Sequence, residues 1–294
     1  MKSKIIIIKL LYYTLLFHLI NSQNKKLYEC GPNKKIPKTI KDNYITPIFN
    51  YYGLPVLNIV LELTNIEKEI SLYNLTPYRD LIINSLIKAV KTMKSLIKTK
   101  YYKCYTFNED FLNEFGFNYW DKKQFGLNET IKSFRTCDFD IDLLIVVRFF
   151  NKTENLDDLT MVNSDVLYMG SNNKAPVVGE IILSKNIDFS KKNSNNFLEY
   201  LFLHHITHIL GFNSYYIKSV FNNYTYTIID SDSVTRYYIN STRVIKVAKK
   251  YFNCSDIKGV ELEEDGNELS AHWESRTLLG EYMNKYMYTE EQVI

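Results

Sequence analysis

Two spacings of apolar residues run along this chain of 294 residues, and each predicts its own kind of element. The first is a helical spacing that begins after Thr76-Pro77, where threonine suits a cap position and proline a first turn. The apolar residues at that spacing are Leu81, Ile82, Leu86, Ile87, Val90, Met93 and Ile97. The lysines between them are Lys88, Lys91, Lys94 and Lys98. We therefore expect a surface helix with one buried and one solvated face.

The second pattern consists of continuous apolar runs, which predict strands buried on both faces. Residues 143–147 are Leu-Leu-Ile-Val-Val, and residues 177–183 contain a second such run. Residues 56–63 are a third strand candidate. The pattern therefore predicts both strands and helices in one chain.

Helical spacing returns twice in the second half of the chain. It covers residues 197–210, with residues 194–196 available as a cap and Gly211 as a natural helix end. A further helical stretch lies near residues 244–252.

The first 22 residues have the pattern of a secretory signal peptide. Lys2 and Lys4 supply positive charge, residues 5–20 are mostly apolar, and Ser22 offers a small residue for cleavage. A transmembrane anchor is the alternative, but the run is short for a span and Lys9 interrupts it. We therefore expect a secreted, extracellular protein whose mature chain has no transmembrane helix.

Charge gives no reason to expect a nucleic acid partner. The full chain has 36 basic and 33 acidic residues, and the signal segment contains three lysines and no acid, so 36 − 3 = 33 basic residues face 33 acidic ones. A formally neutral mature protein lacks the basic excess that nucleic acid binding needs. Its roughly 270 residues can bury a sizeable core in one large or two smaller domains.

Cysteines and glycosylation sequons fit an extracytosolic compartment. The four cysteines predict two disulfides with three alternative pairings. They are Cys30, Cys104, Cys137 and Cys254. Six Asn-x-Ser/Thr sequons offer attachment sites for glycans. The candidate residues are Asn74, Asn128, Asn151, Asn223, Asn240 and Asn253.

Four of the five histidines fall in two short motifs. His204 and His208 are spaced i, i+4, so a helix places both rings on one face, close enough to bind one ion. His272, in Ser270-Ala271-His272-Trp273, is the only histidine outside both the signal segment and this helix, and it can supply a third ligand. Neutral imidazoles suit Zn²⁺. Packed structural histidines without a metal are the alternative.

These motifs, in this order, resemble the leishmanolysin family of metzincin zinc peptidases. That family has HExxHxLGF on its active-site helix, a third histidine in a later S-x-H-W segment, and then a methionine turn. The matching residues here are His204, His208, Leu210-Gly211-Phe212, Ser270-Ala271-His272-Trp273 and Glu281-Tyr282-Met283. Further similarity lies at Cys137-Asp138, Pro176-Val177-Val178-Gly179, residues 251–255 and residues 259–263. The resemblance covers residues 137–285, and more loosely begins at Tyr44.

The resemblance implies a metzincin-type α+β domain with a mixed twisted sheet, an active-site helix and one Zn²⁺ beneath the sheet edge. His204, His208 and His272 would bind the zinc, and Met283 would form the methionine turn. The strand at 177–183 would be the edge that pairs with an extended peptide substrate.

The resemblance also suggests how the chain is divided. A leader or pro-like segment would cover 23–55, and a catalytic-type subdomain with the zinc helix would cover 56–211. A C-terminal subdomain with the third ligand and the methionine turn would cover 212–294. This last part looks truncated, because the chain stops eleven residues after Met283 whereas the family continues.

One departure from the family concerns catalysis directly. His205 stands where the family has the glutamate that takes a proton from the attacking water and passes it to the leaving amine. The charge of a metal stabilises a carboxylate but disfavours a protonated imidazole, so His205 would be a weak base. Loss of a general base costs about 10²–10⁴-fold in rate. Glu199, five residues before His204, lies on a different helix face and is a poor substitute.

Another departure concerns Cys30, which lies in Glu-Cys-Gly-Pro and lacks the His-Asp that accompanies the family's zinc-blocking cysteine. A disulfide and a zinc-blocking thiolate are its two alternative roles.

These observations leave three alternative functions for the whole protein. The first is a zinc-binding homologue with little or no activity, which binds a peptide, a protein or a cell surface. The second is an active metalloendopeptidase, and the third is a metal-free structural or adhesion protein.

Overall fold

A computed structural model describes the protein over 27–30, 37–40, 43–44, 56–97, 103–108, 133–136, 141–150, 160–171, 174–185, 187, 189–190, 194–231, 233–265, 268–278 and 281–288. The helices in these ranges are α1 Thr64–Leu72, α2 Arg79–Leu96, α3 Ser194–Ile209, α4 Ser214–Ser219 and α5 Thr242–Tyr251. The strands are β1 Leu27–Cys30, β2 Lys38–Ile40, β3 Asn43–Tyr44, β4 Ile59–Glu62, β5 Lys103–Cys104, β6 Thr106–Asn108, β7 Ser133–Arg135, β8 Leu143–Phe149, β9 Thr160–Gly170, β10 Pro176–Leu183, β11 Thr225–Ile229, β12 Thr235–Ile239, β13 Val260–Asp265, β14 Glu268–Trp273 and β15 Tyr286–Tyr288. The fold is therefore mixed α and β, as predicted.

The larger of the two main sheets is mixed and has seven strands, which include β15 from near the end of the chain. Its order is β15-β1-β9-β10-β8-β4, and β2 also pairs with β9. Strands β4, β8 and β10 are parallel to one another, whereas β9 runs antiparallel to β10. Strands β1 and β2 join β9 in parallel, and β15 closes the sheet by pairing antiparallel with β1.

The predicted strands at 56–63, 143–147 and 177–183 are confirmed as β4, β8 and β10. The prediction that 177–183 is a sheet edge is wrong, because β10 pairs with β8 on one side and β9 on the other. Its residues 177–183 are all buried. A continuous apolar run suits such an interior position, where neither face meets water.

The predicted surface helix is confirmed as α2, with a different start. Residues Thr76–Tyr78 form a 3₁₀ turn, and the helix proper begins at Arg79 without a side-chain cap. The predicted threonine cap is therefore wrong. Buried side chains include Ile82, Leu86 and Met93, while Ile87 is exposed. The helix packs against α3, and both helices cover the same face of the large sheet as part of the main core.

Close packing sets the distance between α3 and the sheet. Gly179 of β10 lies directly beneath Ile209, and a Cβ added at Gly179 would come within 2.4 Å of the Ile209 Cγ2 atom. Any other residue at 179 would therefore require the Ile209 side chain or the helix to shift. The contact positions Ile209, the residue directly after His208.

The second half of the chain adds a four-stranded antiparallel sheet in the order β11-β12-β13-β14. Helix α5 begins at its cap residue Ser241 and packs against β13. This confirms the helix predicted near 244–252. Strand β14 carries His272, so the sheet delivers the third histidine to the end of α3.

The cysteines differ from the prediction. Cys104 is disulfide-bonded, and Cys254 is an exposed free cysteine in the turn after α5. With one of four cysteines free, the chain forms at most one internal disulfide, so the prediction of two is wrong. Cys137, the sequons at Asn128 and Asn151 and the signal segment 1–22 lie outside the described residues.

None of the described helices is long and apolar enough to cross a bilayer.

Candidate metal centre

Helix α3 and strand β14 bring three histidines into one cluster. His204 and His208 lie one helical turn apart, with 2.9 Å between their Nε2 atoms. The Nε2 atom of His272 lies 3.2 Å from that of His208. Tetrahedral zinc with Zn–N bonds of about 2.0–2.1 Å places its ligand nitrogens about 3.3–3.4 Å apart. Both distances from His208 therefore fit a zinc ion with little adjustment.

The chain turns sharply after α3, and that turn orients His208. Gly211 has a φ of 122°, a left-handed conformation that favours glycine. The reversal brings the carbonyl of Phe212 back to the helix, where it accepts a hydrogen bond of 2.6 Å from His208 Nδ1. The side-chain amide of Asn213 donates to the carbonyl of His208 and completes the helix end. The predicted role of Gly211 is thus confirmed, with this orienting bond as its consequence.

The segment 281–284 holds the other two histidines from the opposite side. The carbonyl of Tyr282 accepts a 2.9 Å hydrogen bond from His204 Nδ1. The next carbonyl, that of Met283, accepts from the backbone N–H of Trp273, the neighbour of His272. Met283 itself is buried. This turn therefore links α3 to β14 directly at the cluster, where a methionine turn was predicted.

Hydrogen bonds to the outer nitrogens determine which tautomers face inward. His204 and His208 each donate Nδ1–H to a carbonyl, so their neutral rings direct Nε2 lone pairs at each other. The Nδ1 atom of His272 is bonded to the Ser270 hydroxyl, so its Nε2 atom is also the inner one. Lone pairs 2.9 Å apart repel each other unless a cation lies between them. Such outer partners are also typical of metal-binding histidines.

Burial keeps these rings neutral, which is the form that binds a metal. Desolvation lowers the pKa of His208 to about 4. Desolvation, and secondly the charge of neighbouring histidines, lowers the pKa of His204 and His272 well below the ordinary range. All three rings are almost fully buried.

Among the described residues, His204, His208 and His272 form a group able to hold a metal ion, with their ligand atoms within 4.8 Å of one another. His205 stands beside the cluster and does not join it. Its ring lies 5.2 Å from that of His204, centroid to centroid, and its Nδ1 atom is bonded to the Ser164 hydroxyl on β9 at 2.9 Å. Glu199 lies half-buried more than one turn earlier on α3.

Comparison with known protein families gives the same answer as the geometry. The leishmanolysin profile of the M8 peptidases matches residues 131–290, more than half of the chain. The chain belongs to the leishmanolysin family. A search of curated proteins finds no match.

The leishmanolysin match spans β7 to β15, so it includes every residue of the histidine cluster and the turn at Met283. The sequence did not indicate the residues that orient the ligands. Phe212 and Tyr282 act through backbone carbonyls, which carry no sequence signal. Tyr282 has a further role, since its hydroxyl is bonded to Thr207 Oγ1 at 2.8 Å and ties the turn to α3.

The metal-free protein should lose stability as the pH falls from 7.5 to 5. Its buried histidines have pKa values below the unfolded value of 6.5, so the stability they confer is present above pH 6.5. It is lost as the pH falls toward the folded pKa, about 4 for His208, because only the unfolded chain takes up protons there. Each such histidine contributes a slope of about 1.4 kcal/mol per pH unit in this window.

Urea denaturation of chelator-treated protein at pH 7.5, 6.5 and 5.5 measures this dependence. The same series on His205→Gln, which removes one of the buried imidazoles, should show a shallower slope. A free energy of unfolding that is constant from pH 7.5 to 5.5 would contradict the buried, neutral state of the cluster.

Proposed function

We propose that this leishmanolysin-family protein binds one zinc ion through His204, His208 and His272 and has little or no peptidase activity. The observation that carries the second part is the state of His205. It is the residue at the position of the general base, it is 0 % exposed, and Ser164 holds it against β9. A protein with a metal site but no base is better suited to hold a peptide or protein than to cleave it.

A zinc ion at the three histidines would supply a Lewis acid that polarises a peptide carbonyl and acidifies water. Hydrolysis also needs a group that accepts a proton and then delivers it to the leaving amine. Burial, and secondly the charges of His204 and His208, lowers the pKa of His205 well below its ordinary value. A protonated His205 is therefore disfavoured, so the second proton transfer lacks a donor.

The leader is part of this proposal. Strands β1 and β2, from the segment 23–55, pair with β9 along the edge that faces away from β10. An extended peptide that adds a strand to a sheet needs a free edge. We propose that the leader covers the edge of β9 at which a ligand peptide would pair, next to Ser164 and His205.

Removal of residues 23–43 should therefore raise the affinity for an extended peptide. We expect about a tenfold gain, since displacing the leader strands no longer opposes binding. Fluorescence anisotropy with a labelled casein-derived peptide measures it, on zinc-loaded full-length and shortened proteins. A shortened protein that is folded by circular dichroism and binds no better would contradict the role of the leader, while leaving the zinc site untouched.

Secretion and glycosylation belong to the same proposal. The segment 1–22 would direct export, and three sequon residues, Asn74, Asn223 and Asn253, are exposed in the folded protein. Expression in a secreting eukaryotic host tests both points. We expect a secreted product that begins at Gln23 and loses mass on treatment with an N-glycosidase, whereas a product that stays inside the cell with residues 1–22 attached would contradict the proposal.

A further inference from the structure

We propose that a cavity beneath α5 binds a single acyl chain that carries an anionic headgroup, such as a free fatty acid. The cavity has a volume of about 340 Å³, within the range of small-molecule sites. It lies between α5, β13 and the segment after β14, and none of the three histidines lines it. Binding of the acyl chain does not depend on the proposed zinc site or on peptidase activity.

The interior of the cavity is apolar. Ala248, Val260 and Leu278 are buried at its base, and the indole of Trp273 forms a side wall. Tyr251 and Phe252 contribute aromatic surface nearer the opening. Such a lining offers no set of polar groups that could orient a sugar, a nucleotide or another highly polar ligand. An aliphatic chain is the chemistry that fits it.

The mouth of the cavity is also apolar, and it is open to solvent. Val247 is 68 % exposed and Tyr251 is 64 % exposed, although both line the cavity. They lie one turn apart on α5. Val244 and Ala248 are on the same face of this helix and pack into the core. A ligand that fills the cavity would cover this surface, and burial of apolar area favours binding.

Charge at the mouth favours an anionic headgroup. Helix α5 has four basic residues and no acidic one. With 3.6 residues per turn, Arg243 and Lys250 lie on the same side of the helix, next to Val247. Glu281 also lines the cavity, where its carboxylate accepts a hydrogen bond from the Tyr251 hydroxyl. A carboxylate beside Arg243 and Lys250 can form charge-assisted hydrogen bonds there.

Decanoate, which stays monomeric over a useful concentration range, is the probe for the test. Isothermal titration of the full-length protein should show one saturable site. Decanol and decyltrimethylammonium have the same chain with neutral and cationic headgroups, and each should bind at least about tenfold more weakly. In Trp120→Phe protein, Trp273 is the only remaining tryptophan, and its emission should shift to shorter wavelength as the chain enters.

Two variants test whether decanoate binds in this cavity. Val247→Asp adds a charge at the apolar mouth and should weaken decanoate binding by about tenfold or more, and Arg243→Gln should weaken decanoate without affecting decanol. Ile229→Asp is the matched control, since Ile229 is 72 % exposed on β11, outside the cavity lining, and it should bind as wild type does.

Four results would overturn the proposal. Equal affinity for decanol and decanoate would show that the site does not select an anionic headgroup. Binding that is unaffected by Val247→Asp would place the ligand elsewhere. Binding to vesicles of phosphatidylcholine and phosphatidylserine without binding of monomeric decanoate would make this surface a membrane contact, and concentration-dependent dimerisation lost in Val247→Asp would make it a protein interface.

Discussion

Replacement of His208 by alanine should remove tight zinc binding. His208 lies between the other two ligands, with its Nε2 atom 2.9 Å from that of His204 and 3.2 Å from that of His272. Changes to the outer partners of a metal ligand already cost about 10–100-fold in affinity, so loss of the central ligand should cost more than 100-fold. Metal analysis of dialysed protein by atomic absorption measures the effect.

The neighbouring substitution His205→Ala is the control for this experiment. His205 is on the same helix and equally buried, but it lies outside the metal-binding group. We expect His205→Ala to keep about one zinc per chain under conditions in which His208→Ala keeps none. Equal metal in wild type and His208→Ala would refute the ligand assignment, and loss of metal in both variants would point to a folding defect in α3.

The second large effect is expected from His205→Glu. If the missing base is the only catalytic defect, this substitution should raise zinc-dependent proteolysis by about 10²-fold or more, the usual contribution of a general base. The structure adds a condition that the sequence did not indicate. Because His205 is fully buried against Ser164, a glutamate there would be a buried carboxylate, which is costly unless a nearby cation and a hydrogen bond stabilise it.

His205→Glu should therefore be less stable than wild type without zinc and should gain more stability than wild type when zinc binds. Thermal unfolding with and without metal measures this difference. His205→Gln is the matched control, because glutamine has nearly the same shape as glutamate but cannot take up a proton at neutral pH. It should show neither the gain in proteolysis nor the added dependence of stability on zinc.

The leader has to be separated from the missing base. Strands β1 and β2 cover the edge of β9, so His205→Glu is also made after removal of residues 23–43. Activity that appears only in the shortened protein would mean that both the base and access to β9 limit cleavage. If neither form cleaves while both hold zinc, loss of the base is not the sole defect, and a binding function becomes the stronger interpretation.

The sequence was informative wherever a residue acts through its own side chain and its spacing. The i, i+4 pair on α3, the Gly211 turn and the distant His272 predicted the cluster that the fold assembles. Long apolar runs predicted β8 and β10 for the same reason, since burial on both faces requires them. Family resemblance then connected motifs that lie more than 60 residues apart.

Features that depend on pairing partners could not be predicted in this way. Strand β9 has mixed polar and apolar residues, including Asn163, Ser164 and Asp165, so it has neither a continuous run nor a clear alternation. The family resemblance placed 177–183 at the edge of the sheet, and because β9 was not predicted, nothing in the sequence contradicted that placement. The same strand holds His205 through Ser164, so the buried state of His205 also stayed invisible in the sequence.

We propose that this leishmanolysin-family protein keeps the metal site and lacks the catalytic base. Metal analysis of the purified wild-type protein, joined to a casein cleavage assay with and without a chelator, tests both halves on one sample. We predict about one zinc per chain and no cleavage above the chelated control. Chelator-sensitive cleavage at a rate normal for an active metallopeptidase, or a purified protein without zinc, would contradict the claim.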